Sequence, residues 1–76
     1  MSVTAKTLRA ARLALGLGQD ELAQLAGLNR RTVMRIENSK GPYINESFEA
    51  LRKALETKGV VFVTVDGRQG FTFPQD

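Results

Sequence analysis

Ala5, Leu8, Ala11 and Leu15 recur at three- and four-residue steps, with Arg12 on the same stripe. That spacing predicts a first helix over residues 5–15. Gly16-Leu17-Gly18 breaks it. A second, short helix is expected over residues 19–26, with Gly18 as its N-cap. Asp20 and Glu21 fall in its first turn, where the helix dipole favours anions. Gly27-Leu28-Asn29 forms a turn, and Asn29 is a good N-cap for a third helix from Arg30 to about Asn38. Residues 39–44, marked by Gly41-Pro42, read as a loop. A fourth helix is predicted over residues 46–58, capped by Asn45 or Ser47 and stopped at Gly59. It carries a stripe of Phe48, Leu51 and Leu55 flanked by Ala50 and Ala54. The period then changes. The run Val60 to Val65 is β-branched and aromatic and reads as a strand. Residues 66–70 read as a turn, and Phe71-Thr72-Phe73 as a short return strand ended by Pro74. The expectation is a mainly α fold: four helices over residues 1–58 and a C-terminal β-hairpin over residues 59–76.

Composition narrows the class. The chain has 76 residues, room for one domain. A domain of that size buries only about 60% of its unfolded surface, so its core must be efficient or a partner must help. There is no cysteine and no histidine. The usual transition-metal ligand sets and the commonest general base are therefore missing, and neither metal nor cofactor is expected. No run approaches the roughly 18 apolar residues of a membrane span, and no secretory signal pattern opens the chain. A cytoplasmic location with no membrane partner is the expectation.

Charge placement adds a partner class. The formal net charge is +3. Through Lys40 there are seven basic residues (Lys6, Arg9, Arg12, Arg30, Arg31, Arg35, Lys40) against three acids. Beyond it, four basic residues face five acids. A basic first half beside a near-neutral second half points to a polyanion-binding unit joined to a different function.

Residues 19–38 meet the separate demands of a helix-turn-helix, two short helices crossing steeply at a tight turn. Ala23 is small where the helices approach. Gly27 tolerates the positive φ of the turn. Leu22, Ala26, Leu28, Val33 and Ile36 supply the apolar inner faces, and no proline interrupts either helix. Val33 and Ile36 point inward, which leaves Arg30, Arg31, Met34, Arg35 and Asn38 outward. Three arginines on one short exposed helix repel one another, so the fold alone does not explain them. A guanidinium fork matches O6 and N7 of guanine. Arg31 and Arg35, one turn apart, are the first candidates for base contacts. Arg30 is placed to reach a base or a phosphate, and Met34 a thymine methyl.

The sequence resembles the Cro/phage-repressor (XRE-like) helix-turn-helix domains. The likeness rests on Leu8-Arg9-Ala10-Ala11-Arg12, Gly18-Gln19-Asp20-Glu21-Leu22-Ala23, Ala26-Gly27-Leu28 and Thr32-Val33-Met34-Arg35-Ile36-Glu37. It covers about residues 4–55 and leaves the hairpin outside the shared core. The resemblance implies that the third helix, residues 30–38, enters the major groove and that a symmetric dimer reads a two-fold related operator. It implies that Gln19 touches the DNA backbone and braces the recognition helix. It also implies a pairing of Arg12 with Glu37, which neutralises an acid near phosphates; donors left over on Arg12 would be free for a phosphate. Asn29, Asn38, Lys40 and the loop through Tyr43 complete the expected backbone contacts, with packing on the fourth helix the alternative for Tyr43.

An enzyme fits poorly, because there is no phosphate-binding glycine loop and no paired-carboxylate site. An RNA reader fits poorly too: A-form RNA hides its major groove, and no aromatic platform accompanies the basic face. A protein-interaction module would not need the arginine cluster. Two DNA-binding readings stay open: a stand-alone prokaryotic or phage-type regulator, most simply a repressor, and an antitoxin that represses its own operon and holds a toxin. The hairpin is the expected dimerisation element, through Val61, Val63, Val65, Phe71 and Phe73. Both faces of its first strand are largely apolar, one small core needs only one of them, and a lone hairpin leaves open edges.

Overall fold

A computed structural model describes residues 3–39 and 46–74. Four helices, α1 (Ala5–Ala14), α2 (Gln19–Ala26), α3 (Arg30–Glu37) and α4 (Glu46–Thr57), precede an antiparallel hairpin of β1 (Val61–Val65) and β2 (Arg68–Thr72). The fold is thus mainly helical, as the apolar spacing predicts. The expected cap Asn45 and the contacts expected of Lys40 and Tyr43 lie outside the described residues.

One core serves all the elements. Leu8 and Ala11 of α1, Leu22 and Ala23 of α2, Val33 and Ile36 of α3, and Phe48, Leu51 and Leu55 of α4 are buried together. Ala26 and Leu28 are partly buried against them. The small side chain expected at the closest approach of α2 is therefore Ala23, 3% exposed.

Three helices end by the same device. Gly16, Gly27 and Gly59 take positive φ values of 73°, 72° and 100°, a conformation that costs other residues their Cβ clearance. The next residue then donates its N–H five positions back: Leu17 to Arg12 O, Leu28 to Ala23 O and Val60 to Leu55 O, at 3.1, 2.8 and 3.1 Å. This is the Schellman stop, and its apolar last residue turns toward the core. It explains why β1 starts at Val61 and not at Val60: the Val60 N–H belongs to α4, and its side chain is 2% exposed. At the start of α2, Gly18 has no side chain to cap with. Glu21 compensates, its Oε1 accepting from Gly18 N at 2.9 Å.

The hairpin departs from expectation in its turn. The reversal takes only Asp66 and Gly67, both at positive φ, 53° and 74°. Asp-Gly favours such a two-residue turn, whose twist matches the strands it joins. Arg68, Gln69 and Gly70 are therefore strand residues, paired with Val65, Thr64 and Val63. The expected longer turn over residues 66–70 and return strand over 71–73 are corrected to a two-residue turn and a strand over Arg68–Thr72.

The hairpin is fastened to α1. Gln69 Oε1 accepts from Thr4 N at 2.9 Å and from Thr7 Oγ1 at 3.1 Å, so one amide oxygen holds the N-cap residue and the first turn of the helix. Gln69→Ala is expected to cost about 1 kcal/mol. Amide hydrogen exchange should show the loss locally, in β2 and at the start of α1. Unchanged protection there would show that the clip contributes nothing.

On α4, Arg52 bonds Glu49 and bridges to Glu56 at 3.0 Å. The hydrogen bond from Arg52 holds the Glu49 carboxyl below its ordinary range. Any support this gives α4 is present above the usual carboxylate pKa and fades as pH falls through the lowered one.

Candidate nucleic-acid interface

The third helix is set up from its first residue. Asn29 Oδ1 accepts from Thr32 N at 2.8 Å and from Thr32 Oγ1 at 3.0 Å. That satisfies an otherwise orphaned donor of the first turn. Val33 and Ile36 are 0% exposed, which fixes the rotation of α3 about its axis. The opposite face then carries Arg31, Met34, Arg35 and Asn38, all exposed. Arg30 is exposed as well and leans on Asp20 at 3.4 Å, across the helix-turn-helix angle. With both partners in solvent, this pair contributes little to stability.

Beneath this face lies a buried polar cluster. Arg12 Nε donates to Glu37 Oε2 at 2.7 Å and Arg12 Nη2 to Glu37 Oε1 at 3.0 Å. Arg12 Nη1 reaches the Leu17 carbonyl at 2.8 Å. Gln19 Nε2 donates to Glu37 Oε1 at 3.1 Å. One carboxylate thus receives a two-pronged guanidinium from α1 and an amide from the first residue of α2. The cluster ties the last turn of α3 to both preceding helices. Arg12 is 7% exposed and all three of its nitrogens are engaged. These bonds use three of the five guanidinium N–H groups and make Arg12 a structural fastening; the expected phosphate contact would fall to the remaining two.

The structure brings Arg31, Met34, Arg35 and Asn38 together on one face, with Gln19 behind them as the expected brace. It places the Asn29 carboxamide oxygen in the cap, so only the NH₂ of that side chain is left for a backbone contact. Three further participants do not stand out in the sequence as members of the site. Thr32 carries a readable signal, standing three residues after its cap partner. Asp20 has only a weak one, its charge opposite to that of Arg30. The Leu17 carbonyl has none, since a main-chain acceptor leaves no mark on residue type.

On the hairpin, Val61, Val63 and Val65 share the outward face with their partners Thr72, Gly70 and Arg68. The three valines are 56%, 38% and 63% exposed. Phe71 lies opposite Phe62, and both pack partly buried on the core. Strand alternation puts Phe73 on the side of Phe71, its ring centroid 6.2 Å from that of Phe71. Phe71 and Phe73, expected among the dimerisation residues, do not lie on the face of the valines. The pleat places them on the other face, and only the valines form the outward stripe.

A helix-turn-helix with a buried inner face and an outward arginine face defines a DNA-binding class of protein. A family model described as helix-turn-helix matches residues 8–58, more than half of the chain. The chain belongs to this XRE-type helix-turn-helix family of DNA-binding transcription regulators, which is not a family of enzymes. Comparison with curated proteins gives no significant match. Among the described residues no helix is long and apolar enough to cross a membrane.

Proposed function

We propose that the protein is a cytoplasmic transcriptional repressor that binds a two-fold related operator as a homodimer. The observation that carries this reading is the division of α3: Val33, Ile36 and Glu37 are buried, and Arg31, Met34 and Arg35 face out. Arg31 and Arg35 read guanines in the major groove, Met34 packs on a thymine methyl, and Arg30 contacts a base or an adjacent phosphate. Gln19, Asn29, Asn38 and Lys40 hold the phosphate backbone and set the register. A bound repressor blocks transcription by occupying the operator. A single module of this size buries too little DNA for tight specific binding, so two copies are required. Val61, Val63 and Val65 supply the surface between them.

Selection of bound duplexes from a random pool tests the reading. The expected result is a pair of two-fold related half-sites, each with at least one guanine, their centres about 34–36 Å apart. Protection of one unrepeated half-site at saturating protein would contradict the dimer. Recovery of a tightly bound second protein with the chain would point instead to an antitoxin. Lys40→Ala is expected to weaken every duplex alike and to reduce the salt slope of binding by about one. A change confined to one base pair would make Lys40 a base reader.

A further inference from the structure

The outward face of the hairpin holds a glycine that the monomer does not need. Gly70 lies inside β2, opposite Val63. Its φ is not among the positive ones. A Cβ built on it would meet only Val63 Cγ2, at 3.9 Å, an ordinary contact. A side chain therefore fits there, and glycine within a strand weakens it. What the missing side chain does create is a notch. A shallow depression lies over it, lined by Val63, Val65, Asp66, Arg68, Gln69 and Gly70. Glycine inside a strand marks a bulge, a tight bend or the close approach of another surface; the register through Gly70 is unbroken and its φ is ordinary, which favours the close approach.

We propose that the notch over Gly70 receives Val63 of a second copy of this chain, and that the two hairpins stack face to face. This rests on the dimer reading above and names its contacts. The occupant follows from self-complementarity. The projecting valine and the notch are cross-strand neighbours on one face. A two-fold axis running along the strands, midway between β1 and β2, places each Val63 over the other copy's Gly70. The same operation sets each Val61 over Thr72 and each Val65 over Arg68 of the other copy, since these are the in-register pairs. The aliphatic stem of Arg68 covers the valine, and its guanidinium comes to lie beside Asp66 of the other chain, an attraction made twice by symmetry. An unrelated protein would have no reason to match this knob, notch and charge order. The face is about 17 Å long at roughly 3.4 Å per residue and two strands, about 10 Å, wide; that footprint of roughly 170 Å² is well short of the roughly 800 Å² per partner of a standard interface. Self-association in free solution is therefore expected to be weak, and it is to be measured over a series of protein concentrations.

The test is sedimentation equilibrium of the full chain with Gly70→Val, alone and with Val63→Ala added. A valine set across from Val63 suits the isolated hairpin, so the monomer should melt no lower than the parent. The added bulk fills the notch, and dimerisation is expected to weaken by about tenfold or more. The second substitution moves the projection from β1 to β2 and the hollow from β2 to β1, and is expected to recover most of that loss. Unchanged dimerisation in Gly70→Val would overturn the notch while leaving the dimer standing. In that event Val61→Lys with Val63→Lys shows whether the valine face is the interface at all. A parent chain that stays monomeric throughout and protects a single half-site would instead bring down the dimer reading and the notch with it.

Discussion

Glu37→Ala is expected to remove about 3–5 kcal/mol of stability, the usual cost of leaving a buried charge without its partner. The reason lies in the arrangement around Arg12. Its guanidinium is held by the two carboxylate oxygens and by the Leu17 carbonyl, away from solvent. Without Glu37 the charge stays buried with one main-chain acceptor, and the Gln19 amide loses its acceptor as well. A domain of this length has a total stability on the order of 4–11 kcal/mol, so the loss takes a large part of it. Urea unfolding followed by circular dichroism measures this directly. The paired replacement Arg12→Met with Glu37→Leu is expected to recover most of the stability, because it removes both charges. It should not recover full DNA binding, because Gln19 would then be unbraced. If Glu37→Ala unfolded at nearly the parent urea concentration, the cluster would be an ornament of the fold and not a fastening.

The second large effect falls on DNA and leaves the fold alone. Arg31→Ala and Arg35→Ala are each expected to weaken operator binding by about 1–3 kcal/mol and to relax the preference at one base pair. Both side chains are exposed on α3, so the urea midpoint should stay where it is. The two sit one helical turn apart and, on the proposed reading, would meet neighbouring bases, so the double variant need not lose the sum of the two. Duplex selection with each variant is the decisive measurement. If both variants chose the parent sequence, Arg31 and Arg35 would be phosphate contacts, and base reading would pass to Arg30 and Met34.

These two sets of substitutions also mark what can be read from residue order. Arg12 falls on the apolar stripe of the first helix, but its pairing with Glu37 comes from the resemblance to the Cro/phage-repressor domains and not from the spacing. The bounds of α2 follow from Gly18 and Gly27. The outward set on α3 follows from the inward pair Val33 and Ile36, since one rotation angle fixes both. Local periodicity carries this kind of information well. It carries none about Gln69, whose partners Thr4 and Thr7 lie more than sixty residues away. Nor does it tell a two-residue turn from a longer one when the residues after Asp66-Gly67 are an arginine, a glutamine and a glycine. That difference decides where the second strand begins. The side of the sheet taken by Phe71 and Phe73 becomes clear only with the register, which pairs Phe71 with the inward Phe62.

The three glycine-ended helices bear on how the protein meets DNA. At each stop the residue after the glycine is already bonded to the helix it leaves: Leu17, Leu28 and Val60. Neither the link between α1 and α2 nor the link between α2 and α3 has slack left to take up. The angle between brace and reading helix is therefore set before any duplex arrives. Docking of this unit orders little backbone, and the conformational entropy that a looser reader forfeits on binding has already been lost in folding. The heat-capacity change contributed by the helix-turn-helix should then follow the surface it covers, with no added share from segments that fold on contact.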